Sequence, residues 1–313
     1  MTVREALEWA RAQLQAAGLP EPLREAQALV AACLGWERAQ LIAHPDALLS
    51  ARQARRLHCW VRRRAAREPL AYITRRVWFY GLELMVGRGA LIPRPETELL
   101  VEVFLGWAAN LPPSLRFPPL REGNQPDSVP PASRGNLKEG VACSPILVDA
   151  GAGTGTIALA CLRHAPHWLG IGIERSRRAL RWAQANRRRL GLESRLLLIQ
   201  SDWLQGLRAG SVDAVLSNPP YVLPDEWDAL QPEITRYEPK SALLTPADDP
   251  LRPYRRIARG ARCALRAGGL LAFETSPRLA PLLAEQLPAW GFPQPRIVCD
   301  YAGVMRVVWA ILE

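Results

Sequence analysis

Lysine is almost missing from this chain of 313 residues: among 40 basic side chains only Lys138 and Lys240 are lysines, and the rest are arginine. The formal net charge of +10 is therefore arginine's, and it is expected to be mostly a solvated surface that tolerates acidic partners or RNA nearby. The six cysteines, at 33, 59, 143, 161, 263 and 299, include no C-x-x-C pair, which argues against a zinc site and a disulfide framework and for a reducing cytoplasm. Only four histidines occur. His164 and His167, separated by Pro166, lack converging partners, so no metal is expected. No apolar run approaches membrane-spanning length, and Arg4, Glu5 and Glu8 interrupt the segment where a signal peptide needs apolar residues.

What is present begins as helix. Apolar positions recur at Val3, Leu7, Ala10 and Leu14 up to Gly18, and at Leu23, Ala26, Val30 and Leu34 up to Gly35. A short element over 38–43 ends before Pro45. Ser50 with Gln53 three residues later reads as a capping box opening a helix to about Arg67. That helix carries Arg52, Arg55, Arg56, Arg62, Arg63, Arg64 and Arg67, a face expected to be solvated. None of these stripes can be buried alone, so residues 1–71 are expected to pack as a small helical domain.

From Tyr72 the period changes to that of paired strands around Gly81, a hairpin linker over 72–109 that includes Pro93-Arg94-Pro95-Glu96-Thr97-Glu98 and a helix from Glu98, with Thr97 as one way to cap it. Residues 110–145 hold Pro112, Pro113, Pro118, Pro119, Pro126, Pro130, Pro131 and Pro145, and are expected to be a mobile insertion without chemistry. Over 146–313 short apolar runs alternate with helical stripes and end in a closing strand pair. That alternation predicts α/β architecture, a mostly parallel sheet with helices on both faces.

The chemistry lies at predicted strand ends. Asp149-Ala150-Gly151-Ala152-Gly153-Thr154-Gly155 follows the first strand of this region and opens a helix, where glycines allow close backbone approach and free amides suit a carboxylate. Glu174, nineteen residues beyond Gly155, stands at the next strand end and can accept from two ribose hydroxyls. The spacing G-x-G-x-G leans away from a dinucleotide without excluding one. After the third strand, Asp202 can accept from an adenine amino group or cap a helix, and Trp203 can offer its ring face. After the fourth come Asn218-Pro219-Pro220-Tyr221. Two prolines remove two donors and stiffen the chain, leaving outward carbonyls. Asn218 Oδ1 and the Pro219 carbonyl can together hold both protons of a planar NH2 group, with the Tyr221 ring against its face.

In this order of motifs the chain resembles the class I S-adenosylmethionine-dependent methyltransferases, and more narrowly the HemK-type glutamine methyltransferases of bacterial peptide chain release factors. The narrower likeness rests on Glu68-Pro69-Leu70-Ala71-Tyr72-Ile73, on the segment Ile92 to Glu98, on Gln200 to Trp203 and on Tyr237-Glu238-Pro239. The resemblance implies a Rossmann-like domain with a seven-stranded sheet over 146–313, and a substrate-recognition role for residues 1–71. It implies cofactor binding by Gly151, Ala152, Gly153, Thr154, Gly155, Glu174, Asp202, Trp203 and Asn218, and a grip on the substrate amide by Asn218 to Tyr221. It implies a release factor as protein substrate, no required nucleic-acid contact, no membrane and a monomer. The chain departs from the family at Glu174, where Asp is common, and at Glu274-Thr275-Ser276-Pro277, where Glu-His-Gly is common. Competing expectations are a ribosomal-protein glutamine methyltransferase, an adenine-N6 nucleic-acid methyltransferase, a nicotinamide oxidoreductase and a non-catalytic RNA-binding module.

Overall fold

The computed structural model describes residues 1–110 and 144–313, so most of the proline-rich stretch expected at 110–145 lies outside the described residues. The described chain forms two units, Met1–Arg94 with Pro220–Pro250, and Pro95–Pro219 with Leu251–Glu313. The long excursion after the Asn-Pro-Pro-Tyr run thus groups with the amino-terminal helices, which the order of motifs along the chain did not reveal.

In the first unit, helices α1 (Val3–Ala16), α2 (Pro22–Leu34), α3 (Arg38–Ala43) and α4 (Ala51–Ala65) follow the stripes read from sequence. Capping boxes close the starts of α1 at Thr2 and α4 at Ser50. Gly35 ends α2 in the left-handed conformation, which a side chain would strain. Val3, Ala10, Leu14, Leu29, Val30, Leu57 and Val61 form the buried core. A short helix α5 (Leu70–Thr74) leads to the antiparallel hairpin of β1 (Arg76–Phe79) and β2 (Leu82–Met85). Its two-residue turn places both Tyr80 and Gly81 at positive φ, the geometry that matches strand twist.

The arginine row of α4 is not all solvated. Arg64 is buried, and its guanidinium donates to both carboxylate oxygens of Glu25, at 2.6 and 2.7 Å, and to Glu233 Oε1 at 3.0 Å. Arg67 donates to the other oxygen of Glu233 at 3.0 Å, and Arg63 to Glu68. Burial disfavours the Arg64 charge, but its carboxylate partners outweigh that and hold its pKa above the usual value. Arg64→Met takes the guanidinium from Glu25 in a partly dry site and leaves Glu233 to Arg67, so it should destabilise the protein by about 3 kcal/mol. Urea unfolding of the full chain checks this expectation.

The second unit opens with a short turn at Pro95–Thr97 and α6 (Glu98–Ala109). Its sheet comprises β3 (Ile146–Ala150), β4 (Leu169–Glu174), β5 (Leu196–Gln200), β6 (Val212–Ser217), β7 (Leu265–Glu274), β8 (Arg296–Cys299) and β9 (Met305–Ile311). The order is β5-β4-β3-β6-β7-β9-β8. The first five run parallel, and β9 lies antiparallel to both β7 and β8. Helices α7 (Thr156–His164), α8 (Arg177–Arg189), α10 (Arg252–Ala264) and α11 (Ala280–Gln286) belong to this unit, while α9 (Pro232–Tyr237) belongs to the first. Phe104 of α6 meets Trp168 edge-on, ring centroids 4.8 Å apart. The strand order reverses between β3 and β6, and a crevice at such a reversal, at the carboxyl ends of the strands, is where open α/β sheets take ligands.

Candidate active site

Both sequence-predicted halves of the site stand at this reversal. Asp149 pairs in register with Leu216, so the glycine loop leaving β3 and Asn218 leaving β6 start side by side. Ser217 Oγ donates to the Ala150 carbonyl at 2.5 Å, tying together the last residues of the two strands.

The glycine loop is held by its neighbour. Gly151 and Ala152 amides donate to the Ile173 carbonyl at 2.8 and 2.9 Å, and the Gly153 amide donates to Glu174 Oε2 at 2.9 Å. The Gly155 amide donates to the Ala152 carbonyl. The loop amides of Gly151, Ala152, Gly153 and Gly155 are thus engaged within the protein, and the service of the glycines is close approach. All three glycines have positive φ, and a Cβ on Gly151 would lie 3.3 Å from the Trp203 ring. Trp203 itself is left-handed at φ 55°, a conformation that costs a side-chain-bearing residue about 1–2 kcal/mol. Strain of this kind concentrates at ligand sites, because the surrounding structure must be built to hold it.

Glu174 bridges two loops, for its other oxygen accepts from the Ser176 amide at 2.7 Å. A carboxylate has about four lone-pair sites, so acceptor capacity remains for hydroxyl groups. Asp202 is followed by turns rather than a helix and caps nothing; one of its oxygens accepts from Arg256 at 2.6 Å. Thr154 is buried, its carbonyl accepting from Asn186 Nδ2 at 3.1 Å and its hydroxyl paired with that of Thr156.

Asp149 is fully buried beneath the loop, and its Oδ2 accepts from the Ala158 amide in the first turns of α7 at 3.1 Å. Burial first, and Glu174 in addition, push its pKa up to about 7 against the pull of that amide. The folded state thus holds a proton that the unfolded chain releases above about pH 4. Asp149 therefore favours folding fully at lower pH, loses that contribution as pH rises toward 7, and is a fixed penalty above it. Asp149→Asn should raise the unfolding free energy of the ligand-free protein at pH 8, read from urea curves, by up to about 4 kcal/mol, with no gain at pH 3.5. Paired unfolding curves at the two pH values check the sign.

On the other side, Asn218 and Pro219 end the second unit's run, and Pro220 and Tyr221 carry the chain into the first. Tyr221 is half-buried. Val222 then pairs with the Leu243–Thr245 strip, its amide donating to the Leu243 carbonyl and its own carbonyl accepting from the Thr245 amide, both at 2.9 Å. Farther along, buried Glu238 accepts from the Ile92 amide at 3.0 Å and from Arg94. Thr97 does not cap α6. Its backbone is already helical, and its hydroxyl accepts instead from Asn218 Nδ2 at 3.1 Å. Thr97, Arg256 and Ser217 were missed as site residues because their roles need contacts between distant strand ends, which no local spacing signals. Among the described residues no group of side chains could hold a metal, and no helix is long and apolar enough to cross a membrane.

The seven-stranded sheet with its reversed last pair, glycine loop and acid-tipped second strand defines a class I methyltransferase domain. A family model described as "Methyltransferase small domain" matches residues 137–233, and one described as "PrmC N-terminal domain" matches residues 5–74. The chain is 33% identical over 311 residues to a release factor glutamine methyltransferase of Caulobacter vibrioides, covering 99% of this chain and 96% of that one. It is 35% identical over 312 residues to the enzyme of that name from Cereibacter sphaeroides, covering 100% and 99%, and 33% identical over 307 residues to that of Agrobacterium fabrum, covering 98% and 96%. This chain belongs to the release factor glutamine methyltransferase family.

Proposed function

We propose that the protein transfers a methyl group from S-adenosylmethionine to the side-chain amide nitrogen, N5, of the glutamine in the Gly-Gly-Gln motif of bacterial peptide chain release factors. One observation carries the reading: the glycine loop and the Asn-Pro-Pro-Tyr run leave adjacent strands of the sheet, β3 and β6, from paired positions.

The residues present fit the cofactor. A Cβ at Gly151 would fill the space beside Trp203, and Glu174 and Asp202 offer only acceptors, suited to ribose hydroxyls and an adenine amino group. When bound, S-adenosylmethionine supplies an electrophilic methyl on a sulfonium. The protein's part is alignment. A glutamine amide nitrogen is a poor nucleophile because its lone pair is delocalised into the carbonyl, and it cannot be deprotonated appreciably at neutral pH. Asn218 Oδ1 and the Pro219 carbonyl accept hydrogen bonds from its two N–H groups, which fixes the nitrogen and stabilises the positive charge that develops on it. Tyr221 packs the amide plane. No general base is needed before methyl transfer; a proton leaves afterwards.

Residues 1–71 recognise the release factor, and the protein acts as a monomer in the cytoplasm. Titration with S-adenosylmethionine against NAD and RNA tests the cofactor class. Transfer of labelled methyl to a release factor, with a large-subunit ribosomal protein and adenine-containing DNA as alternatives, tests the substrate. Label in the release factor supports the reading, and label only in one of the others replaces it.

A further inference from the structure

Thr97 sits four residues past Pro93 in the Pro-Arg-Pro-Glu-Thr-Glu segment, and nothing in its local sequence ties it to the chemistry. Its φ of −65° and ψ of −20° continue the short turn at Pro95–Thr97 into α6, so its hydroxyl is released from the capping duty its position suggests. The side chain is only 4% exposed. Its Oγ1 accepts from Nδ2 of Asn218, 121 positions away in sequence, at 3.1 Å.

From this contact we infer that Thr97 is a positioning residue that sets which face of the Asn218 amide meets the substrate. A primary amide has nearly the same shape when turned half way about its last torsion, but the turn exchanges an acceptor for two donors. The guest nitrogen, on the reading proposed above, brings only donors. An Asn218 presenting Nδ2 would set donor against donor, whereas one presenting Oδ1 makes the hydrogen bond that aligns the nitrogen. With Nδ2 spent on Thr97, Oδ1 is the atom left for the guest. Glutamine methylation then depends on a buried hydroxyl that never touches glutamine. Because misplacement of a reacting group by about 1 Å can cost a hundredfold in rate, a loosely held amide plane should be visible in kcat.

The test compares wild type with Thr97→Val, which keeps the shape and removes the hydroxyl, and Thr97→Ser, which keeps the hydroxyl and removes a methyl. Thr97→Val should lower kcat for release-factor methylation by about ten- to a hundredfold. S-adenosylmethionine affinity, which also reports folding, should stay within about threefold, and Thr97→Ser should recover most of the rate. The Asn218 side-chain NH2 resonances, assigned as the pair lost in Asn218→Asp, should shift upfield in Thr97→Val as the hydrogen bond is lost. An unchanged kcat in Thr97→Val overturns the inference, as does a Thr97→Ser rate as low as that of the valine variant. If wild type transfers no methyl to the release factor, the functional reading fails instead, and the resonances still decide the positioning: unmoved in Thr97→Val, they overturn it.

Discussion

Asn218→Ala should abolish measurable methyl transfer while S-adenosylmethionine still binds within about tenfold of wild-type affinity. The expectation follows from the division of labour at the two strand ends. On the proposed reading the cofactor side is the loop after β3, Glu174 and Asp202 with Trp203, held by bonds that do not involve Asn218: Gly153 to Glu174, Gly151 and Ala152 to Ile173, Asp202 to Arg256. The amide nitrogen of Asn218 donates to Thr97, and on the same reading its oxygen is the atom that meets the guest. Its removal deletes one of two acceptors for the nucleophile and leaves the cradle in place. Losing a preorganised hydrogen-bonding group aimed at developing charge costs about a hundred- to a thousandfold in kcat, and here alignment of the nucleophile is lost with it. Single-turnover transfer of labelled methyl, alongside calorimetric titration of the cofactor, separates the two effects.

The second large effect is on binding. Glu174→Ala should weaken S-adenosylmethionine by about a hundredfold, since charge-assisted hydrogen bonds contribute about 1.5–3 kcal/mol each. The loss compounds, because the same carboxylate holds the Gly153 amide and the Ser176 amide, so its removal also frees the glycine loop. Glu174→Asp keeps the charge with a shorter reach and should lose much less, within about tenfold. Equilibrium titration with both variants checks the order: an alanine variant that binds as tightly as wild type would remove Glu174 from the cofactor site.

Much of this architecture is legible in the sequence because it is written in local terms. The stripes of α1 and α2, the Ser50–Gln53 box and the Tyr80-Gly81 turn depend on neighbours within a few residues, and the structure has each where the pattern places it. The strand-end motifs are legible for the same reason, since each follows its own apolar run. What was not legible is pairing over distance. Arg64 reads as one more exposed arginine in a row of seven, and only Glu25 and Glu233, far away in the chain, make it a buried ion-pair centre. Thr97 reads as one way to cap a helix, and its contact with Asn218 shows another use. The ties of the glycine-loop amides to the Ile173 carbonyl and to Glu174 are of the same kind.

On the proposed reading Asn218 and the Pro219 carbonyl hold one glutamine nitrogen to receive one methyl. Its most direct test is fragmentation mass spectrometry of a release factor incubated with the protein and S-adenosylmethionine. The account predicts a gain of one methylene mass on the glutamine of the Gly-Gly-Gln peptide, absent when the protein carries Asn218→Ala. Methylation of any other residue, or an unchanged yield with the Asn218→Ala protein, would contradict it.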